Sequence, residues 1–303
     1  MIERVRAALS DSALRACVAC MSVLWLACGS TTPTGAVERR SGAEASSLGL
    51  YVLDCGTIRD LVADVFLPGD ADAPAALDLV NRCYLIEHPN GTLLWDTGLP
   101  DFLSSWFMRT LAWVVSFGAL DVRVDRTLEA QLAELGRTPE DIDYLAFSHL
   151  HTDHVGNANR FTRSTWLIQR PELEAAFAPD SEIFDSSYYA RIRENPRKVL
   201  DGDFDVFGDG RVVILSAPGH TPGHQCLFLD LSETGPIVLS GDLYHTQRSR
   251  ELRLPPTFNT DRDQSRASMD RIESFLKERG ATLWIQHDPA SNAGVPLSPE
   301  RIR

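Results

Sequence analysis

The sequence has no apolar run long enough to cross a membrane, and it carries little positive charge. Its N-terminal apolar run, residues 16–27, has about 12 residues, whereas a membrane-spanning helix needs about 20. Its 42 acidic residues outnumber its 29 basic residues and give a formal net charge of −13. Because an acidic surface repels a phosphate backbone, we expect no nucleic-acid partner.

Cysteine is scarce: after Cys28 the sequence has only Cys55, Cys83 and Cys226. Three scattered cysteines without a Cys-x-x-Cys pair predict neither a disulfide framework nor a cysteine metal site. We therefore expect each of them to be a small buried apolar residue. The composition is otherwise that of an ordinary globular protein, with 44% hydrophobic and 23% charged residues.

The first 27 residues are typical of an export signal, because arginines precede the apolar run and small residues follow it. Residues 26–30, LACGS, resemble the cleavage site of bacterial lipoproteins, although Trp25 stands where leucine is usual. We expect an exported protein, either periplasmic or a membrane-anchored lipoprotein with its lipid on Cys28. A buried helix is the alternative. Small polar residues at 28–49 predict a flexible linker before a folded domain at 50–303.

Strand-like and helix-like segments alternate from residue 50 onward, which indicates a layered α/β fold. Asn90-Gly91 between two apolar runs predicts a β-hairpin. In such folds the chemistry is carried by loops at strand ends. The strand-like runs are 50–53, 83–86, 92–95, 144–147, 166–169, 212–215, 226–231, 237–239 and 283–286, and the helix-like runs are 128–135, 171–177 and 265–277.

The histidines fall at such strand ends. Residues 148–154, SHLHTDH, hold three of the eight histidines directly after an apolar run. Imidazole and carboxylate are ligands that zinc and similar divalent ions accept. Three further candidate metal ligands, His220, Asp242 and His287, each follow another apolar run. A β-sheet brings the ends of its strands together at one edge. The candidate metal ligands are His149, His151, Asp153, His154, His220, Asp242 and His287.

This set of residues resembles the metallo-β-lactamase superfamily over residues 50–288. The resemblance implies a four-layer αβ/βα sandwich with two divalent metal ions between its two sheets. It also implies the ligand sets: His149, His151 and His220 for one ion, Asp153, His154 and His287 for the other, with Asp242 bridging both. Zinc is the expected ion, and iron, cobalt or manganese fit the same ligands.

Other residues near these motifs also have expected roles. Asp96, in Asp96-Thr97-Gly98, matches the Asp-x-Gly of the superfamily, and we expect it to orient a ligand histidine. The resemblance makes His224 structural, because the family pattern uses the earlier histidine, His220. His88 and His245 have no assigned role.

The closest resemblance is to the N-acyl-homoserine lactonase family, and it is carried by residues 148–154, 217–225, 241–242, 259–269 and 286–288. It implies that a metal-bridging hydroxide opens the lactone ring. Asp153 is the expected proton donor to the ring oxygen. Hydrolysis of another ester, lactone or phosphotriester is the main alternative. A surface protein that binds metal or lactone without catalysis is the second alternative.

In those lactonases a tyrosine shortly after the bridging acid contacts the substrate. Here Tyr244 follows Asp242 by two residues, whereas the usual spacing is three, which His245 occupies. We therefore name Tyr244 as a candidate catalytic residue, with simple packing as the alternative.

The segment 102–117, FLSSWFMRTLAWVVSF, is unusually aromatic and carries one charge, on Arg109. Three interpretations stay open. The segment is a core helix, a lid or acyl-chain groove over the metal ions, or a contact surface for a homodimer or a membrane.

Overall fold

The computed structural model describes residues 47–116, 121–178 and 183–303. The predicted export signal at 1–27, the lipid anchor at Cys28 and most of the linker at 28–49 lie outside the described residues, as does Phe117. Within the three described ranges, no helix combines the length and the apolar character needed to cross a membrane.

The described residues form two sheets, and the first has seven strands. They are β1 (Gly49–Val62), β2 (Ala76–His88), β3 (Gly91–Trp95), β4 (Asp121–Arg123), β5 (Tyr144–Ala146), β6 (Thr165–Gln169) and β7 (Arg197–Leu200). Their order across the sheet is β4-β1-β2-β3-β5-β6-β7. The pairs from β4 to β3 are antiparallel, and those from β3 to β7 are parallel. Asn90-Gly91 forms the predicted hairpin between β2 and β3, with a positive φ of 140° at Gly91.

The second sheet has five strands. They are β8 (Phe204–Asp205), β9 (Val212–Ser216), β10 (Gln225–Leu231), β11 (Gly235–Leu239) and β12 (Thr282–Trp284). Their order is β12-β11-β10-β9-β8, with β11 and β12 parallel and the other pairs antiparallel. The sequence predicted all of these strands except the short β8.

Helices cover the outer faces of both sheets or connect their strands. They are α1 (Ala63–Phe66), α2 (Trp106–Val115), α3 (Leu128–Glu134), α4 (Thr152–Val155), α5 (Arg170–Ala176), α6 (Gln247–Leu252), α7 (Arg262–Arg279) and α8 (Pro289–Asn292). The longest, α7, begins where the Asp261 side chain accepts hydrogen bonds from the N–H groups of Asp263 and Gln264. It ends at Gly280, whose φ of 61° provides the left-handed cap.

Three apolar layers separate the four layers of secondary structure. Neighbouring residues of β1 show why, because Val52 belongs to the layer between the sheets and Leu53 to the outer layer. The outer layer on the first sheet includes Leu132 of α3, and the outer layer on the second sheet includes Met269 of α7. The four-layer αβ/βα sandwich predicted from the resemblance is therefore confirmed.

A disulfide joins Cys55 and Cys83, whose Cα atoms are 5.9 Å apart. This corrects the expectation that both are separate apolar residues. They are 28 residues apart in the chain, and only the antiparallel pairing of β1 with β2 makes them neighbours. A side chain on Gly98 would place its Cβ 2.2 Å from the Cys55 Cβ, so the disulfide lies directly against the Asp96–Gly98 turn. Cys226 is free and buried, as expected.

The aromatic segment forms α2, and none of the residues of α2 is buried. Trp106 is 71% exposed and Trp113 is 53% exposed. The interpretation of this segment as a core helix is therefore wrong. Only its inner side packs on the molecule, where Ala112 contacts a small cluster that includes Leu99 and Leu103.

Candidate metal centre

The histidine motif lies where β5 leaves the first sheet. The strand ends at Ala146, and His151 is the N-cap of the short helix α4. Because His151 is still extended, with φ of −67° and ψ of 153°, the side chains of His149 and His151 reach the same side. The first turn of α4 then supplies Asp153 and His154.

The second sheet supplies the remaining three candidate ligands. His220 follows β9, Asp242 lies in a 3-10 turn at Gly241–Leu243 directly after β11, and His287 follows β12. The parallel pairing of β11 with β12 brings Asp242 and His287 to the same edge. All seven predicted ligands therefore meet between the two sheets, in two groups that each fit a metal ion.

The first group contains His149, His151 and His220. Their facing ring nitrogens lie 2.8 Å apart for His149 Nε2 and His151 Nδ1, and His220 Nε2 is 3.1 Å from each of them. Tetrahedral nitrogen ligands about 2.0 Å from zinc lie about 3.3 Å from one another. The spacing of the three nitrogens is thus close to that of a metal site.

The second group contains Asp153, His154 and His287. The two Nε2 atoms of His154 and His287 are 3.1 Å apart. Oδ2 of Asp153 lies 3.5 Å from His154 Nε2 and 3.6 Å from His287 Nε2. The Asp153 carboxylate is the least buried of these groups, with 24% of its side chain exposed, so it faces the opening of the site.

Asp242 connects the two groups through different oxygen atoms. Its Oδ2 lies 3.2 Å from His220 Nε2 and 3.7 Å from His149 Nε2. Its Oδ1 lies 3.1 Å from His154 Nε2 and 3.0 Å from His287 Nε2. This is the position of a bridging carboxylate, with one oxygen for each metal position.

The hydrogen bonds around the ligand rings test whether metal ions fit. A neutral imidazole has one N–H, and in His149 the Nδ1 donates outward to Ser148 Oγ at 3.1 Å. In His220 the Nδ1 donates to Asn259 Oδ1 at 2.9 Å. Both Nε2 atoms then present lone pairs to each other in a buried space, which is unfavourable unless a cation lies between them. The donor set thus fits two divalent metal ions.

The two groups differ in charge. Burial and the neighbouring His154 lower the pKa of His149 well below its usual value, and burial with His220 lowers the pKa of His151 to about 3. Burial also opposes the charged form of His154, but the carboxylates of Asp153 and Asp242 raise its pKa well above its usual value. His149 and His151 of the first group are therefore neutral, whereas His154 in the second group holds a proton that a metal ion would displace.

Asp96 lies beneath the site, as the sequence predicted. Its Oδ2 accepts from His154 Nδ1 at 3.0 Å and from Gln286 Nε2 at 2.9 Å. The N–H of Ser148 donates to its Oδ1 at 2.7 Å. Asp96 therefore orients a ligand histidine and links the loops that follow β3, β5 and β12.

His224 is structural, as expected. Its Nδ1 donates to the Ala217 carbonyl at 3.0 Å, and its Nε2 accepts from the backbone N–H of Asp242 at 2.9 Å. Burial lowers the pKa of His224 to about 3, so the ring is neutral and can accept this bond. His224 thus holds the backbone of the bridging acid.

Tyr244 lies outside the site, which corrects the prediction that it contacts the substrate. Its ring belongs to the apolar layer beneath α7, and its hydroxyl donates to Glu273 at 3.3 Å. His245 reaches the site instead, with its Nε2 2.9 Å from Asp242 Oδ2. The Nδ1 of His245 is buried and has no hydrogen-bond partner among the described residues. The spacing of three residues after the acid was the signal that favoured His245.

Sequence reasoning missed two supporting residues. Glu172, at the start of α5, is buried and accepts hydrogen bonds from the Leu150 N–H, the Thr221 hydroxyl and the Gly223 N–H. It therefore joins the two histidine loops. Asn81 of β2 donates to the Asp153 carbonyl at 2.7 Å. A lone carboxylate on a helix and a lone amide in a strand gave no signal in the sequence.

Three phenylalanine rings form an aromatic wall beside the histidines. Phe66 ends α1, Phe184 lies between α5 and β7, and Phe258 precedes α7. Phe66 lies 5.0 Å from His245, Phe258 lies 5.6 Å from His220, and Phe184 lies 5.9 Å from His151, between ring centroids. Phe258 is 42% exposed, so part of this wall faces an approaching molecule.

Comparison with known proteins identifies the class. Residues 77–279 match the family model of the metallo-beta-lactamase superfamily, and the chain belongs to this superfamily. It is 30% identical over 264 residues to the N-acyl homoserine lactonase AttM of Rhizobium radiobacter, which covers 83% of this chain and 97% of that protein. It is 29% identical over 229 residues to the N-acyl homoserine lactonase AiiA of Bacillus thuringiensis subsp. kurstaki, which covers 75% of this chain and 88% of that protein.

A solved structure agrees with these sequence relatives. It is that of an N-acyl homoserine lactone hydrolase with the product N-hexanoyl-L-homoserine bound at its catalytic metal center. The TM-score is 0.71 at 27% identity, over 85% of this chain and 100% of that chain. The predicted superfamily and fold class are thus confirmed.

Proposed function

We propose that the protein is a dinuclear metal-dependent hydrolase that opens the lactone ring of N-acyl homoserine lactones. The observation that carries this proposal is the Asp242 carboxylate, whose two oxygens face two separate ligand groups. The N-acyl homoserine lactonases among the relatives support lactones as the substrate class.

His149, His151 and His220 would hold one metal ion, Asp153, His154 and His287 the other, with Asp242 shared. When bound, two divalent ions acidify water and polarise a carbonyl group. Zinc is the ion we expect, because all donors are imidazole nitrogens or carboxylate oxygens.

The side chains at the opening of the site supply the other functions. The Asp153 carboxylate, partly exposed, is placed to pass a proton to the ring oxygen that leaves. The exposed ring of Phe258 provides a surface for an acyl chain, and the buried rings of Phe66 and Phe184 beside it help to exclude water from the reacting carbonyl. An amphiphilic lactone, polar at the ring and apolar at the tail, fits this arrangement.

Metal analysis and proton release test the proposal. The purified complete chain should contain two metal ions, and a pH-stat should record one proton released for each acyl homoserine lactone opened. Asp242→Ala should lose both properties, whereas Tyr244→Phe should keep both. Two bound ions without ring opening would refute the lactonase proposal and direct the search to nitrophenyl esters and phosphotriesters. Bound metal with no hydrolysis of any of these would identify a binding protein.

We also propose that the protein is exported, either as a periplasmic protein or as a lipoprotein anchored through Cys28. The Cys55–Cys83 disulfide supports export, because such bonds persist in oxidising compartments. Fractionation of cells with metabolic labelling by a palmitate analogue tests this. Label that is lost in Cys28→Ser establishes the anchor. Unlabelled protein in the periplasm establishes simple export, and a full-length cytosolic chain refutes both.

A further inference from the structure

The helix α2 presents an unpartnered apolar face to the outside of the molecule. Its most exposed apolar residues are Trp106, Phe107, Trp113 and Val114, each more than half exposed. With the exposed Thr110, their spacing of three and four residues places them on one face of the helix. The opposite face packs through Ala112 on the cluster that includes Leu99 and Leu103. The exposed face therefore points away from the core.

We propose that this face docks into a lipid surface, so that the domain lies against the membrane; this orientation rests on the lipid anchor proposed above for Cys28. Tryptophan is enriched at the boundary between headgroups and acyl chains, and phenylalanine is common on the apolar face of helices that lie in this boundary. A ten-residue helix is about 15 Å long, which is too short to cross a bilayer and suitable for lying in its surface.

The charge distribution around α2 is more compatible with a lipid surface than the charge distribution of the whole chain. Residues 102–116 contain no aspartate or glutamate, although the chain has 42 of them. The one charged side chain in this stretch is Arg109, which lies 3.9 Å from Asp125. An acid-free apolar face can approach a phospholipid bilayer without repulsion from its phosphates.

The tether allows this orientation. Ser47 is 19 positions after Cys28 in the sequence, and a chain of that length extends up to about 65 Å. The helix lies against β4, which pairs with β1 at Thr57–Arg59. Along β1, Thr57–Arg59 lies about 30 Å from Gly49. A lipid anchor on Cys28 therefore reaches far enough for α2 to touch the same bilayer.

Two other roles for the exposed face of α2, a lid over the histidines and a dimer interface, fit the observations less well. As a lid, α2 would have to cover the histidines, whereas the rings that contact them are Phe66, Phe184 and Phe258. For a dimer, the four exposed side chains offer on the order of 500 Å². A stable interface buries about 800 Å² on each partner.

Vesicle binding tests the proposal with the complete chain in a Cys28→Ser background, so that a lipid anchor contributes to sedimentation in none of the proteins compared. We expect the triple variant Trp106→Ser/Phe107→Ser/Trp113→Ser to sediment with phosphatidylcholine and phosphatidylglycerol vesicles at least fivefold less than the unmodified chain. The control Leu252→Ser/Leu297→Ser, which removes two exposed leucines elsewhere, should sediment like the unmodified chain. Equal sedimentation of the triple variant would overturn the proposal.

Brominated lipids supply a second readout that does not depend on the triple variant folding. Bromine quenches tryptophan fluorescence on contact, so the unmodified chain should be quenched more than Trp106→Phe/Trp113→Phe, which keeps the apolar face. Equal quenching would overturn the proposal.

Two further outcomes would identify α2 as a subunit interface or as a lid, and would refute docking on a lipid surface. A triple variant that changes from dimer to monomer in light scattering without vesicles identifies a subunit interface. A triple variant that loses turnover of long-chain lactones in vesicle-free solution identifies a lid. Under our proposal its turnover there stays within twofold of the unmodified chain. Because hydrolysis and sedimentation are measured separately, a failure of the lactonase proposal is distinguishable from a failure of this one.

Discussion

The Nε2 atom of His224 accepts a hydrogen bond at 2.9 Å from the backbone N–H of Asp242. This bond links the loop after β9 to the turn after β11, so the bridging carboxylate is held by a residue that does not touch the metal positions. We expect His224→Phe to lower the affinity for metal at least tenfold, because the Asp242 N–H loses its buried acceptor. Competition with a chelator measures this, and unchanged affinity would refute the supporting role.

Glu172 should act on both stability and metal binding. In Glu172→Gln an amide N–H replaces one of the two accepting oxygens, and a buried N–H then faces another N–H, at a cost of about 1–3 kcal/mol. Urea unfolding at pH 8.5, where the Glu172 carboxyl is ionised, measures the loss, and the metal affinity should fall in parallel. The exposed Glu174→Gln on the same helix is the matched control and should change neither quantity.

Glu172 also predicts a pH dependence. Burial raises the pKa of Glu172 from 4.5 to about 7, so the folded chain binds this proton more tightly than the unfolded chain does. The contribution to stability is therefore present below pH 4.5 and is lost as the pH rises toward 7. The slope of unfolding free energy against pH should differ between the unmodified chain and Glu172→Gln in this window. Identical slopes would contradict the assignment.

Metal uptake should release protons. Burial disfavours the charged forms of His154 and His287, but the Asp153 and Asp242 carboxylates raise both pKa values above the usual range. A metal ion competes with these protons. The apparent affinity for metal should therefore fall about tenfold for each unit by which the pH is lowered and for each proton displaced. Calorimetry in two buffers of different ionisation enthalpy counts the protons. Affinity that does not change between pH 8 and pH 6 would contradict this prediction.

His245 should affect turnover rather than metal content. It belongs to neither ligand group, yet its Nε2 lies 2.9 Å from Asp242 Oδ2 and its ring contacts Phe66. We expect His245→Ala to retain two metal ions and to lose roughly tenfold to a hundredfold in kcat/KM, as expected for loss of one positioned polar group. Tyr244→Phe is the neighbouring control and should keep full activity. A loss of metal in His245→Ala would make this residue a ligand instead.

The disulfide should stabilise the part of the fold beneath the site. It closes a 28-residue separation, for which a contribution of about 2–4 kcal/mol to the free energy of unfolding is typical. Cys83→Ala should lose this amount in urea unfolding. Reducing agent should destabilise the unmodified chain and leave Cys83→Ala unchanged. Equal sensitivity of both proteins to the reducing agent would refute the contribution.

The sequence was most informative where chemistry and local pattern coincide. The seven candidate ligands could be named because each is a metal-binding residue type close after an apolar run, and β-sheets bring such positions together. The Cys55–Cys83 pair could not be predicted, because it depends on the register of β1 against β2. Glu172 and Asn81 were missed for the same reason, since each acts through a contact that only the assembled sheets create.

The exposed face of α2 shows a different limit. Apolar periodicity predicts a helix, but it does not say whether the apolar residues face the core or the outside. Residues 102–117 therefore left three interpretations open, and the exposure of Trp106 and Trp113 excludes one of them. The error over Tyr244 had a similar origin, because the backbone after the 3-10 turn is extended at Tyr244, and neighbouring side chains of an extended backbone point to opposite sides.

The metal ligands all follow strands of the two sheets, whereas Phe66, Phe184 and Phe258 belong to three connecting segments. The candidate metal centre and the aromatic side chains that contact it thus come from separate parts of the chain. Under the proposed function, exchanging these phenylalanines for smaller or polar residues would change which acyl tails are accepted and leave the metal-binding residues unchanged. The architecture therefore permits new substrate ranges to arise through the connecting segments alone, without rebuilding the apparatus that breaks the bond.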